Sequence, residues 1–308
     1  MALVVDNFSL PFEIDRTGLR GRVVRLGDQV DNILQRHSYP PAIAALLGEA
    51  LALAACLAST VKFEEGIFTL QARGGGGPVR FLVADITSEG ALRGYVSFDQ
   101  DGLDGLEDEP ASAARLFGGG HLAFTVDQGG DFERYQGIVE LAGESLADSV
   151  HHYFRQSEQI ATGLKLACAP GMDGRWRAGA LLVQKLPDET IRRAAPEDVA
   201  ELVEADEGFR RALVLLGSAT PEEMTDPDLP AEQLLFRLFH EDGVRVYDKS
   251  TLMDRCRCQL DRVEDVLRQF GKERVEEFKV DGVVTVTCEF CASARVFDEA
   301  AIAELGLE

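Results

Sequence analysis

The stretch Val283–Phe297, VVTVTCEFCASARVF, contains two cysteines between two runs in which apolar residues alternate with other residues. Such alternation predicts β-strands, here over residues 283–287 and 294–297. The strands are close enough in sequence to form a hairpin, and Cys288 and Cys291 occupy its turn. A tight turn of this kind directs both sulfurs toward one point, which favours a shared metal ion.

The other two cysteines of this region form a second close pair. The sequence RCRC at 255–258 is separated from Cys288 by 29 residues and directly precedes a helix predicted over 259–270, which Gly271 ends. A last helix is predicted after its capping residue Asp298. Four thiols in two close pairs, on a stretch too short to bury a large core, predict one tetrahedral Zn²⁺ per chain. The predicted ligands are Cys256, Cys258, Cys288 and Cys291.

The charge of the whole chain limits its partners. The 308 residues include 53 Asp and Glu against 31 Lys and Arg, a formal net charge of −22. A field of this sign repels phosphate groups, which argues against nucleic acids and anionic membranes as partners. No run of 18 uninterrupted apolar residues is present, and the first ten residues lack the basic segment of a signal peptide. We therefore expect a cytoplasmic protein with reduced thiols.

Residues 1–186 have the pattern of an α+β domain. An almost wholly apolar helix is predicted over 41–60, and a helix this apolar on every side is expected to be buried. A second helix is predicted over 144–159, with Ser145 as its cap. Strands at hairpin spacing predict an antiparallel sheet covered by helices. These strands are predicted at residues 67–72, 79–85, 91–98, 121–126, 135–141, 163–169 and 178–186.

Residues 187–250 differ in composition from the rest of the chain. They carry 16 acidic and 7 basic residues, and prolines interrupt their helical pattern. Short helices are predicted over 196–205, 207–216 and 231–239. Helices this short and this charged are marginal unless they pack on other elements. We therefore interpret 187–250 as a metastable helical linker between the N-terminal domain and a small C-terminal α+β zinc-binding domain of residues 251–308.

Three functions are compatible with a zinc–thiolate module. The zinc could be static and support a binding module, Cys288 and Cys291 could be the dithiol of a thiol–disulfide oxidoreductase, or the centre could sense oxidants. The strand-like flanks argue against the oxidoreductase, because a catalytic CxxC normally opens a helix. In a sensor, oxidation to disulfides removes the ligands, and so small a core cannot replace the roughly 10–16 kcal/mol that structural zinc supplies.

The remaining candidate residues are predicted to have structural roles. Cys56 in the apolar helix and Cys168 in a strand are expected to be core residues. Adjacent positions on a helix point about 100° apart, so His151 and His152 make a poor chelating pair. Core packing is also expected for three phenylalanines that could otherwise contribute to a binding surface: Phe8, Phe12 and Phe236. No catalytic triad, paired carboxylates or nucleotide-binding motif stands out, so we expect neither enzyme activity nor ATP dependence.

At these motifs the chain resembles the 33 kDa chaperonin family, the redox-regulated heat-shock holdases of bacteria. The most specific similarities surround the cysteines: RCRC at 255–258, VTCEFC at 286–291 and RVFD at 295–298. Further similarities extend over nearly the whole chain, with LLGE at 46–49, RYQGIVEL at 134–141, HYFRQSEQ at 152–159 and LFHEDGVRVY at 238–247.

The resemblance implies a chaperone that is inactive while it is reduced and zinc-bound. It implies that oxidative stress forms two disulfides, Cys256–Cys258 and Cys288–Cys291, with release of the zinc. The linker would then unfold and hydrophobic surface would become exposed. In that state the protein would form a homodimer and hold unfolding client proteins without ATP.

Overall fold

Two β-sheets and one apolar helix that packs on both form the centre of the N-terminal part of the chain. The computed structural model describes residues 6–61, 63, 65–103, 105–106, 112–129, 134–185 and 199–306, with side chains from 207 onward in the last range. The chain divides into two compact units, Met1–Asp254 and Arg255–Glu308.

The first unit begins with two strands and two helices and continues mainly as strands. In chain order these elements are β1 (Asn7–Ile14), β2 (Leu19–Leu26), α1 (Asp28–Gln35), α2 (Pro41–Ala58), β3 (Ile67–Gly74), β4 (Val79–Thr87), β5 (Ala91–Phe98), α3 (Ala113–Phe117), β6 (Gly120–Asp127), β7 (Tyr135–Glu140), α4 (Leu146–Tyr153), β8 (Ala161–Pro170) and β9 (Trp176–Lys185). Three helices and three short strands follow: α5 (Val199–Ser218), α6 (Pro221–Thr225), α7 (Ala231–Phe239), β10 (Val244–Val246), β11 (Ser250–Thr251) and β12 (Met253–Asp254).

The two sheets of the first unit are almost entirely antiparallel. The first sheet has the strand order β10-β1-β2-β9-β8, and β11 also pairs with β1. The second has the order β12-β5-β4-β3-β6-β7, in which the β12–β5 pair is parallel. The predicted α+β class, with an antiparallel sheet and covering helices, is confirmed.

Helix α2 is the buried centre of this unit. It contacts β8 and β9 of the first sheet and β4 and β5 of the second, and residues of both sheets share its core cluster. Among the described residues it is the one helix long and apolar enough to cross a membrane, but 78% of it is buried inside the protein. Burial therefore explains its composition, as the sequence predicted.

Helix α4 begins where its sequence predicts. The Ser145 hydroxyl accepts a hydrogen bond from the Asp148 amide at 3.2 Å, and the Asp148 carboxylate accepts from the Ser145 amide at 2.9 Å, which completes a capping box. The predicted helix over 144–159 is divided: α4 ends at Tyr153 and a π-helical turn, Phe154–Glu158, follows.

The first three elements, β1, β2 and α1, were not predicted. Pro11 has no backbone N–H to donate to a neighbouring strand, so its presence in β1 argues against a central strand. The strand nevertheless pairs with β2 on one side and with β10 and β11 on the other. Because β10 and β11 come more than 200 residues later, no local sequence signal shows this pairing.

The helices α5–α7 cover one face of the first sheet. Their buried side chains form a second core cluster with residues of β1, β2 and β9. The separate helices predicted over 196–205 and 207–216 are wrong, because α5 continues from Val199 to Ser218; residues 196–198 lie outside the described residues. In the sequence, Gly208 is unfavourable for a helix. In the structure it lies so close to Thr17 that a Cβ atom on residue 208 would be 2.4 Å from the Thr17 Cγ2.

The second unit contains α8 (Leu260–Glu277), β13 (Val284–Thr287), β14 (Ala294–Phe297) and α9 (Glu299–Glu304). The predicted hairpin and the Asp298 cap are confirmed: β13 and β14 pair antiparallel, and the Asp298 carboxylate accepts from the Ala301 amide at 2.8 Å. Gly271 interrupts α8 at φ 73° and ψ 169°, as predicted, but a further helical stretch that was not predicted continues to Glu277.

Candidate metal centre

Two tight turns present the four cysteines of the second unit. Cys288 and Cys291 lie between β13 and β14, where the Ala292 amide donates to the Cys288 carbonyl at 2.8 Å and the Cys288 amide donates to the Ser293 carbonyl at 3.0 Å. Ala292 has a φ of 55°, the left-handed conformation that closes such a turn. Strand pairing on both sides therefore fixes the spacing of these two sulfurs.

The second turn precedes α8. Cys256 and Cys258 flank Arg257, whose carbonyl accepts a hydrogen bond from the Gln259 amide at 3.0 Å, and Gln259 is the N-cap of the helix. The unpaired amides at a helix start carry a partial positive charge, which favours nearby thiolates. The position that the sequence predicts for this pair is confirmed.

The four sulfurs meet at one place. The Sγ atoms of Cys256 and Cys288 are 3.7 Å apart and those of Cys258 and Cys291 are 3.3 Å apart. All four lie within 4.8 Å of one another. Four sulfurs placed tetrahedrally about 2.3 Å from a zinc ion would be separated by about 3.8 Å. The donor set and its dimensions therefore fit a tetrahedral thiolate-bound metal ion.

The thiols of the cluster do not ionise alike. Burial raises the pKa of Cys256 to about 12 and also raises the pKa of Cys288. Burial opposes ionisation of Cys291 as well, but hydrogen bonds from Ser293, Cys258 and Cys288 outweigh it and lower the pKa of Cys291 to about 6. Without a cation, ionisation of Cys291 is therefore favoured over ionisation of Cys256 and Cys288.

Ser293 and Arg295 are the polar neighbours of the cluster. The Ser293 hydroxyl lies 2.9 Å from the Cys291 Sγ, and an Arg295 guanidinium nitrogen donates to the Cys258 carbonyl at 3.4 Å. The positive charge of Arg295 would offset part of the negative charge of four thiolates on a metal ion. Ser293 was not predicted from the sequence. Its place two residues after Cys291, in the same turn, is the signal that could have identified it.

The other candidate cysteines and histidines belong to the first unit, whereas the cluster belongs to the second. Cys56 is fully buried in α2, and burial raises the pKa of its thiol to about 12. Cys168 packs against the same core from β8, so close to Gly48 that a Cβ there would lie 2.2 Å from its sulfur. His151 accepts a hydrogen bond from the Leu164 amide through Nε2 at 2.9 Å, which is a structural role.

The three phenylalanines have different environments. Phe8 and Phe12 are buried at 3% and 1% exposure, as predicted. Core packing is wrong for Phe236, which is 61% exposed on α7. The preceding residues, Leu234 and Leu235, are buried in the core cluster against the sheet. Phe236 lies beyond this apolar face of the helix and is therefore exposed.

Comparison with known proteins gives a consistent result over the whole chain. The family model described as "Hsp33 protein" matches residues 8–298. A "33 kDa chaperonin" of Caulobacter vibrioides is 40% identical over 301 residues, covering 96% of each protein. The protein of that name from Ectopseudomonas mendocina is 37% identical over 305 residues, covering 98% of this chain and 95% of its own. A crystal structure of the 33 kDa chaperonin of Thermotoga maritima covers 97% of each chain with a TM-score of 0.77 and 24% identity, a similarity of fold.

Proposed function

The chain belongs to the Hsp33 family of chaperones, and from this premise we propose that it is a redox-regulated, ATP-independent holdase, active after oxidation of its four clustered cysteines. The observation that carries the proposal is the cluster itself: the sulfurs of Cys256, Cys258, Cys288 and Cys291 lie within 4.8 Å of one another. In the resting state they would hold one Zn²⁺ per chain.

The second unit has little else to stabilise it. Its core cluster, among the described residues, contains six buried hydrophobic residues: Leu267, Val275, Val284, Phe297, Ile302 and Leu305. A core of this size does not hold a domain of about 50 residues together without a covalent or metal cross-link. When bound, zinc would supply that cross-link and would keep the sulfurs as thiolates, the form that oxidants attack. Folding of this unit is therefore expected to depend on the state of its sulfurs.

The proposed switch is the oxidation of four thiolates to two disulfides. Two thiolates form one S–S bond and give up two electrons. With two protons, these electrons reduce one hydrogen peroxide to two waters, so each disulfide consumes one hydrogen peroxide. We propose the pairs Cys256–Cys258 and Cys288–Cys291, as in the family that the chain resembles. Sulfurs paired in this way no longer act as thiolate ligands, so the unit loses its metal and its fold.

Loss of structure at Cys256 has a short path to the linker. Between α7 and Cys256 the chain makes three short strands, β10 of three residues and β11 and β12 of two residues each. Strand pairing this short is marginal by itself. Only these few strand pairs would therefore have to break before the chain that follows α7, between Phe239 and Cys256, is no longer held by strand pairing.

Release of the linker would uncover a hydrophobic surface. Helices α5–α7 pack on the face of the first sheet whose buried side chains are Phe8, Leu10, Phe12, Ile14, Leu19, Val23, Ala167, Leu181 and Val183. Contiguous apolar surface of this kind binds other apolar surface, which an unfolding protein supplies. We propose this face and the released linker as the client-binding region, with a homodimer as the activated form and the cytoplasm as its location.

A second candidate function is favoured by the contact of the Ser293 hydroxyl with the Cys291 Sγ at 2.9 Å, which together with the neighbouring thiols outweighs burial and lowers the pKa of Cys291 to about 6. A thiolate present at neutral pH, next to Cys288, is what a thiol–disulfide oxidoreductase requires. Turnover of a scrambled-disulfide substrate by catalytic amounts of protein would support this candidate. Suppression of client aggregation at stoichiometric amounts, seen only after oxidation, would support the holdase.

The proposed function is tested by titrating reduced, metal-loaded protein with hydrogen peroxide. Metal release, helix content and suppression of thermal aggregation of a client protein are followed in the same samples. We expect all three to change together, at about two equivalents of peroxide per chain. Metal release without any gain in aggregation suppression would contradict the proposal and would indicate a static zinc module. Replacement of Cys168, which lies outside the cluster, by Ala is the matched control and is expected to behave as the parent protein.

A further inference from the structure

Arg25 is a charged residue in a buried position on the first sheet. It lies on β2, its exposure is 3%, and it shares its side of the strand with Leu19 and Val23, which belong to the core cluster under the linker helices. Burial of a cation is unfavourable unless hydrogen-bond acceptors surround it. The acceptors of Arg25 therefore show what this residue holds.

The guanidinium of Arg25 donates to three main-chain carbonyls of the linker. One terminal nitrogen, Nη1, donates to the carbonyls of Asp226 and Leu229, each at 2.6 Å. The other, Nη2, donates to the carbonyl of Glu223 at 2.9 Å. These acceptors span the end of α6 and the turn that leads into α7. We call residues 223–229 the linker turn.

The electrostatic environment of Arg25 favours the same arrangement. Burial lowers the pKa of the guanidinium, and the carboxylates of Asp6, Asp226 and Glu232 oppose that effect. Two of these three carboxylates, Asp226 and Glu232, belong to the linker. The linker thus brings the three hydrogen-bond acceptors and two of the three carboxylates that compensate the buried cation, the third being Asp6.

We propose that Arg25 is the anchor that holds the linker turn on the first sheet and thereby determines how readily the linker is released. Because the acceptors are main-chain atoms, substitution of linker side chains would not remove them. Removal of the guanidinium leaves three carbonyls without this donor, that of Leu229 at a buried site and the other two at partly buried sites. The consequence for chaperone activity rests on the proposed function. That Arg25 stabilises the docked linker does not depend on the proposed function.

Strand β2 offers a matched control on its opposite face. Arg22, three residues before Arg25, faces the other core cluster with Val24 and donates to the Ser59 carbonyl through Nε at 3.3 Å and Nη2 at 3.2 Å. It is therefore an arginine of the same strand that also binds a main-chain carbonyl, but one outside the linker.

The experiment compares the parent protein with Arg25→Met and Arg22→Met, all reduced and metal-loaded. Hydrogen–deuterium exchange is followed in peptides from 221–239, from the two sheets and from 255–306. We expect Arg25→Met to accelerate exchange in 221–239 by about tenfold or more, with the sheets and the metal content unchanged. Arg22→Met is expected to leave exchange in 221–239 unchanged. Arg25→Lys, which keeps the charge but not the planar donor pair, is expected to fall between the parent and Arg25→Met.

Two outcomes would contradict the proposal that Arg25 anchors the linker turn. One is unchanged exchange in 221–239 for both Arg25→Met and Arg25→Lys. The other is equal acceleration by Arg22→Met and Arg25→Met, which would show a general effect on the strand. If Arg25→Met does not fold, the comparison of Arg25→Lys with the parent decides between these results. Exchange is measured without any client protein, so failure of the anchor is distinguishable from failure of the proposed chaperone function.

Discussion

At the scale of single residues, burial changes the ionisation of Glu49, an acid within the core helix α2. Burial raises the pKa of Glu49 to about 7 because the carboxylate loses solvent. The folded state therefore holds a proton that the unfolded state releases between about pH 4.5 and pH 7, so stability falls as pH rises through this range. The contribution of this group to the free energy of unfolding should decrease by at most about 3 kcal/mol between pH 4.5 and pH 8.

Glu49→Gln is expected to remove this part of the pH dependence and to be the more stable protein at pH 8. Urea unfolding of the reduced, metal-loaded protein at several pH values measures the effect. The exposed Glu140→Gln serves as the control, with a pH profile parallel to that of the parent protein. Parallel profiles for Glu49→Gln and the parent would show that Glu49 keeps its ordinary pKa.

Cys288 is the residue at which the metal site is most directly tested. Replacement by Ser removes one of four thiolates, and the loss of a ligand is expected to lower the metal content of the purified, reduced protein and to unfold residues 255–306. Metal content by elemental analysis and exchange protection of 284–297 measure the two effects. A normal metal content in Cys288→Ser would contradict ligation by four thiolates.

At the scale of elements, helix α7 shows how residues 231–239 are held on the first sheet. Leu235 is completely buried against the first sheet, whereas the next residue, Phe236, is 61% exposed. Leu235→Ala is expected to destabilise the docked linker by about 2–5 kcal/mol, because it leaves a cavity in a packed core. Phe236→Ala should change the same quantity by less than about 0.5 kcal/mol. Exchange protection in 231–239 measures both, and equal effects of the two substitutions would show that α7 does not pack through Leu235.

At the scale of the whole molecule, the separate cores predict a stepwise loss of structure. The core cluster of the second unit is formed entirely by residues between 267 and 305, whereas the two clusters of the first unit contain none of them. Removal of the metal by a chelator under reducing conditions is therefore expected to abolish exchange protection in 255–306 and to leave β2, β3, β4 and β9 protected. Added zinc should restore the protection. Protection of 255–306 that persists in metal-free, reduced protein would contradict a metal-dependent fold.

Local sequence patterns were sufficient for the elements that carry their own signals. The alternation around CEFC predicted β13 and β14, the cap Asp298 predicted α9, and the nearly uniform apolar composition of 41–60 predicted a buried helix, observed as Pro41–Ala58. The pairing of two close cysteine motifs also predicted which residues come together. In each case the information lies within a few residues, because turns, caps and periodicity depend on neighbours in the chain.

Other features were decided only by tertiary structure. Strand β1 tolerates Pro11 because partners from the distant segments β10 and β11 complete its pairing, and α5 continues through Gly208 because the helix packs closely on Thr17. The exposure of Phe236, the hydrogen bond from Ser293 to Cys291 and the three linker carbonyls on Arg25 depend likewise on how elements pack. The sequence by itself determined the four-cysteine motif of the second unit and the α+β class, whereas the attachment of residues 223–229 to the first sheet required the folded chain, because its contacts join residues about 200 positions apart.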